Sequence, residues 1–198
     1  LGSHAASSPL TNIIDIYGNV ANRGFVIGGG NEANQRHHYM GNVENIGSGD
    51  QVEIRVAENV GGFCMELWSD ALNLLAVSMI SPSGEQTYRF PIRSGQTQNY
   101  TFVLEGTTVS IDYKVFVERL NAELIFFRVE DPTPGIWKVS VEPVQVTEGN
   151  FHIWLPVTEF LDNEVYFLQS DPDYTITEPG SAITGITAGF YNGNDNSI

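Results

Sequence analysis

Between residues 43 and 157 the apolar residues recur at every second position, and no clear stretch of helical period interrupts them. "QVEIRV" sets Val52, Ile54 and Val56 on one face and Glu53 and Arg55 on the other. "GFCMELW" aligns Phe63, Met65 and Leu67, "GIWKVSV" aligns Trp137, Val139 and Val141, and "NFHIWL" aligns Phe151, Ile153 and Leu155. Side chains alternate across a strand, so this pattern fits sheets that bury one face and wet the other. Turn formers punctuate it at "SPSGE" (81–85), "LEGTT" (104–108), "DPTPG" (131–135) and "TEGN" (147–150). About eight strands at this spacing predict an antiparallel β-sandwich, with a jelly roll as the expected topology.

The two ends read differently. In residues 8–22, "SPLTNIIDIYGNVAN", Ser8 is a candidate helix cap and Pro9 suits the first helical position. Leu10, Ile13, Ile14 and Tyr17 fall at helical spacing. "FVIGG" then reads as a short strand of the fully buried kind, which predicts a parallel α/β unit. After 157 comes the connector "VTEFLDNEVYFLQ", then the turn-rich "DPDYTITEPGS", then another short apolar strand in "AITGITAGFYN". The expected organisation is therefore three segments. Residues 1–42 and 158–198 are pieces of one α/β domain, and residues 43–157 are a sandwich inserted into it.

Charge narrows the partners. With 24 acidic and 9 basic residues the net charge is −15. Binding to nucleic acid or to an anionic membrane surface needs clustered cations that this chain lacks. An acidic balance also serves solubility alone. The single cysteine, Cys64, permits no internal disulfide and no multi-thiolate metal site; its apolar flanks read as those of a small buried hydrophobe. No run approaches the roughly 20 apolar residues of a membrane-spanning helix.

The glycine triplet at 28–30, followed by Asn31, is where chemistry enters. "GFVIGGGNEA" resembles the strand-to-loop signature V-V-x-A-A-G-N-x-G of the subtilisin-like serine proteases. The resemblance implies that Asn31 donates a hydrogen bond to the oxyanion of a tetrahedral intermediate, with Gly29 and Gly30 letting substrate approach the backbone. Leu1-Gly2, about thirty residues earlier and separated by a helix, matches the family's Ser-Leu-Gly segment that pairs with substrate. A tag remnant is the other reading of "LGSH". "EPGSAITGITAGFYN" resembles the turn and strand that floor the specificity pocket, which makes Thr177, Glu178 and Pro179 candidate substrate-binding residues.

More than a hundred residues separate these two matches where the family needs a couple of dozen. A jelly roll interrupting the catalytic domain resembles the clostridial germination-type branch, and "ISPSGE" and "PGIWKV" resemble the jelly roll of proprotein convertases. The family's catalytic contexts, D-[ST]-G, H-G-T and G-T-S-x-[AS], do not occur. The chain is thus expected to be an inactive fragment of a serine endopeptidase, whose partners are a peptide substrate and the remainder of the catalytic domain. By resemblance alone the parent is spore-associated or extracellular. Cut from that parent, the short strands at 25–29 and 183–189 are expected to pair between chains as a non-native dimer.

Other candidates stay beside this reading. His37 and His38 are adjacent and lack carboxylates at ligand spacing, which disfavours zinc and fits a loop pair near the substrate cleft. No cofactor is expected. Calcium at Asp171, Asp173 and Glu178 is weighed against a solvated turn. Trp68, Trp137 and Trp154 are weighed as a sugar platform against ordinary packing. The alternative function is a jelly-roll binding module for collagen, a glycan or a protein partner.

Overall fold

The computed structural model describes residues 8–70, 72–117, 121–161 and 164–189. The chain divides into two compact units, one formed by the residues up to Gln35 and from Pro172 onward, the other by Arg36–Asp171.

In the smaller unit, helix α1 (Pro9–Gly18) starts where the sequence provides a cap. Ser8 is extended (φ −67°, ψ 154°) and its Oγ accepts from the Thr11 amide at 3.1 Å, with Pro9 opening the first turn. Asp15 Oδ1 accepts from the Thr184 amide at 2.8 Å and its hydroxyl at 3.0 Å, fixing the helix to the C-terminal segment. Strand β1 (Val26–Gly28) pairs in parallel with β12 (Ile186–Ala188), Val26 opposite Ile186. The Ile186 amide to Phe25 O and the Gly29 amide to Ala188 O, both 2.9 Å, extend the ladder at each end. The apolar stripe of α1 is not covered as expected. Only Ile14 of its apolar residues is buried, while Leu10, Ile13, Ile16 and Tyr17 are about half exposed or more. Val26 is 75% exposed and Ile186 66%, so the two strands are not buried on both faces either.

The larger unit contains β2 (His38–Asn42), β3 (Asp50–Val56), β4 (Gly62–Asp70), β5 (Leu74–Ile80), β6 (Gln98–Thr101), β7 (Thr108–Val117), β8 (Ala122–Glu130), β9 (Gly135–Gln145), β10 (Asn150–Trp154) and β11 (Val165–Phe167). They form a six-stranded sheet in the order β2-β10-β4-β8-β7-β6 and a four-stranded sheet in the order β11-β3-β9-β5, every pairing antiparallel. The fold is mainly β. The alternation sets what faces inward: Met65, Leu67, Ile125 and Phe127 from the larger sheet join Ile54, Val77, Trp137 and Val139 from the smaller in one core. Each such side chain, taken fully out of water, contributes about 1.5–3 kcal/mol.

The sheets reach beyond the segment marked by alternation. β2 pairs with β10, Trp154 opposite His38, so this strand starts five residues before Val43, the expected first residue of the sandwich. β11 pairs with β3 inside the stretch read as a connector. Both are short, and β2 carries a polar "HHY" entry, so neither gives a readable period. Cys64 also differs from expectation. Its neighbours Phe63 and Met65 point into the core, so Cys64 lies on the outer face, half-buried.

Polar groups are buried in this unit as well, Tyr113 and Glu123 among them. Tyr113 is fully buried; its hydroxyl donates to Phe90 O and accepts from the Val77 amide, both at 3.3 Å. Glu123 is also fully buried, at the first inward position of β8. Its Oε2 accepts from the Leu75 amide at 3.1 Å and from Ser69 Oγ at 3.3 Å, while Oε1 has no partner. Burial pushes its pKa up to about 7, against which the two donors pull only partly.

Candidate functional site

The smaller unit gathers the candidate residues around the end of β1. Gly29 O accepts from the Thr177 amide at 3.0 Å, just after Gly29 has donated to Ala188 O. Gly30 has φ +90°, and a Cβ there would sit 2.5 Å from Thr177 Oγ1. Only glycine meets both demands, the left-handed backbone and the close approach. Gly29, Gly30 and Thr177 are thus in contact across 148 residues of sequence.

Asn31 follows this crossing directly. Its side chain is exposed and takes part in no hydrogen bond among the described residues. A carboxamide held at a strand end by a tight glycine pair, with its donors unspent, is suited to receiving an oxygen that gains negative charge.

Beyond Thr177 the chain turns sharply. The Gly180 amide donates to Thr177 O at 2.7 Å and the Ala182 amide to Pro179 O at 3.0 Å, and the Glu178-Pro179 bond is cis. Thr187 Oγ1 donates to Gly180 O, tying this turn to β12. Both carboxylate oxygens of Glu178 are engaged. Oε2 accepts from Ser8 Oγ at 2.7 Å and Oε1 from Ser181 Oγ at 2.9 Å. Glu178 therefore braces the start of α1, a role invisible in the sequence because its partner lies 170 residues away. Leu1 and Gly2 lie outside the described residues.

No protein-family model matches the chain. No curated protein matches it. Among solved structures, the CspB protease of Clostridium perfringens matches all of this chain with a TM-score of 0.86 at 24% sequence identity. The chain has the fold of part of a clostridial protease. It spans 40% of the length of that protease. At this identity the likeness is one of fold.

The remaining candidates are placed as follows. His37 and His38 are not both in a loop: His38 opens β2, and both side chains are buried. His38 Nε2 and His152 Nδ1 share a hydrogen bond of 3.0 Å, and both rings stack with Trp154. Sequence spacing missed this group because its members come from two strands 114 residues apart. Trp137 is no platform residue; it is fully buried, with Nε1 donating to Thr133 O at 2.8 Å. Trp68 and Trp154 are half-buried on the outer face of the six-stranded sheet. Among the described residues no three His, Cys, Asp or Glu side chains gather as a metal site.

Proposed function

We propose that the chain is part of a subtilisin-like serine endopeptidase, interrupted by a jelly roll, and that it carries the enzyme's oxyanion-stabilising asparagine. The observation that carries this reading is the arrangement at 26–31: a strand paired in parallel with β12, a glycine crossing, then an exposed Asn31 with free donors. The fold shared with a clostridial protease supports it.

In the complete enzyme a serine oxygen attacks the scissile carbonyl, and negative charge develops on the carbonyl oxygen. Asn31 Nδ2 donates to that oxygen. Because β1 and the Gly29–Thr177 contact hold the residue in advance, the donor does not reorganise as charge appears. Gly29 and Gly30 keep the neighbouring backbone bare for the substrate, and Leu1 and Gly2 contribute to binding the peptide. Thr177 and Pro179 shape the pocket floor, with Glu178 acting as its brace to α1 rather than as a contact. The nucleophile and base come from the remainder of the catalytic domain, so this chain alone hydrolyses nothing. The open apolar stripe of α1 and the exposed Val26 and Ile186 are the surfaces that remainder covers. The sandwich serves as a structural or substrate-selecting insertion, and the parent matures another protein outside the cell or at the spore.

The test joins this chain to triad-bearing segments and compares Asn31→Ala with the unaltered protein. Turnover should fall about 10²–10³-fold, the size seen on removing such a donor from a subtilisin, with KM little changed. Unchanged turnover in an active parent refutes the role of Asn31.

A further inference from the structure

Two turns at one end of the sandwich hold each other, each through a glutamate that accepts from the other's backbone. One is "SPSGE" at 81–85, after β5; the other is "FVLEGT" at 102–107, joining β6 to β7. Glu85 Oε1 accepts from the Val103 amide and from the Tyr100 hydroxyl, both at 3.0 Å, and its Oε2 accepts from the Leu104 amide at 3.1 Å. In return Glu105 Oε1 accepts from the Ser83 amide at 3.3 Å. Every residue of this clasp belongs to Arg36–Asp171, and nothing about it depends on the protease reading.

The base of the second turn is anchored independently. Phe102 is fully buried, edge-on to Trp137 with ring centres 5.0 Å apart. Thr107 is fully buried too, its hydroxyl donating to Asp131 O at 2.8 Å. The tip between them, residues 103–106, has no such packing: Val103 is 84% exposed and Leu104 74%. The Gly106 amide closes the turn on Phe102 O at 2.8 Å, and the carboxylates of Glu85 and Glu105 tie the tip to the neighbouring turn.

Three donors on the two oxygens of Glu85 require an ionised carboxylate, because a protonated acid carries a hydroxyl on one of them. On Oε2 that hydroxyl would face the Leu104 amide, donor against donor. On Oε1 it would face the Val103 amide, even with Tyr100 reversing its own bond. Either way the tip loses an acceptor. The titratable groups facing Glu85 are Tyr100 from β6 and Glu105 from the tip, and among the described residues neither glutamate makes an ion pair. The Val103 and Leu104 amides, and after them the Tyr100 hydroxyl, hold the Glu85 carboxyl below its ordinary 4.5. The same bond holds the Tyr100 hydroxyl above its ordinary value. At Glu105 burial raises the pKa, but the Ser81 and Ser83 hydroxyls and the Ser83 amide outweigh it.

We propose that Glu85 is the catch of a proton-operated latch: ionised, it clasps the tip at 103–106 to the 81–85 turn, and protonated, it lets the tip go while the sandwich beneath stays folded. A carboxyl held below its unfolded value contributes stability above that value and loses it as the pH falls through the folded one. The latch is therefore closed at neutral pH and opens in acid, opposite in sign to Glu123.

The test is 15N relaxation of the full chain at pH 7 and at pH 3, with the Glu85 side-chain carboxyl followed by 13C across the range. The Val103 and Leu104 amide shifts should titrate together with that carboxyl, at a midpoint below 4.5. Their order parameters should fall from about 0.85 to below about 0.6, while the buried strand residues Ile111 and Val139 keep theirs. Glu85→Gln gives the same readout without acid, since its amide group also sets a donor against the tip: at pH 7 the tip of that variant should already be mobile, with the unfolding midpoint little changed. A tip as rigid in Glu85→Gln as in the wild type at pH 7 overturns the proposal. A Glu85 midpoint at or above 4.5, or tip amides that do not follow the carboxyl, overturns it as well.

Discussion

Glu123 binds its proton more tightly in the folded sandwich than in the unfolded chain, because burial penalises its charge. Below the ordinary carboxyl value of 4.5 the group is neutral in both states and its contribution is fully present. As the pH rises above 4.5, the unfolded chain ionises while the folded one resists, until the folded carboxyl titrates at about 7. Stability is therefore lost on raising the pH through that window, and the loss by pH 8.5 is about 3 kcal/mol. Glu123→Gln removes the titration while keeping an oxygen to accept from the Leu75 amide and Ser69 Oγ. Its carboxamide leaves a buried donor unpaired, as the protonated acid does, so near pH 5 the two proteins should be about equally stable. Urea unfolding at pH 5, 6, 7 and 8.5 provides the assay. The difference in free energy, glutamine variant minus wild type, cancels every other titrating group common to both. It should rise by about 3 kcal/mol from pH 5 to 8.5, with most of the change before 7.5. A difference that stays flat within about 1 kcal/mol across that range refutes the reasoning and means the folded Glu123 reaches water.

The other predictions address packing, backbone and edges. Leu67→Ala opens a cavity in the core and should cost about 2–5 kcal/mol by chemical denaturation, since Leu67 is fully buried between the sheets. Gly149→Ala should cost roughly 2–4 kcal/mol: the residue has φ +73° and a Cβ there would lie 2.2 Å from Val43 O, a backbone atom with no room to yield. A wild-type midpoint for that variant would mean the β9–β10 turn relaxes. The two-stranded β1–β12 ladder, exposed at Val26 and Ile186, should make the chain self-associate through strand edges. Light scattering tests this, and a monomer at every concentration counts against it.

Legibility followed the range of the physics involved. The helix start was readable because a cap acts over three residues, Ser8 on the Thr11 amide. The sandwich strands were readable because alternation is a local record of which face is buried. Glu123 was readable in principle: it stands two residues before Ile125 in the inward register of "AELIFFRVE", and a carboxylate at that position marks a buried charge. The His38–His152–Trp154 stack and the Glu178 brace to Ser8 were not readable. Each joins residues that no window of sequence contains together.

The sequence by itself determined the period of the middle segment, the positions of its turns, the cap of α1, and the Gly-Gly-Asn run at the end of β1. These are properties of near neighbours along the chain, set by backbone geometry and by which side chains avoid water. Only the tertiary structure decided that β1 and β12 lie side by side in parallel, that β2 and β11 complete the sheets, and that Asn31 stays exposed where Thr177 meets Gly29. Those depend on which distant segments close on one another. Many partners would satisfy the same local pattern, and one arrangement pairs the backbone groups and fills the core together.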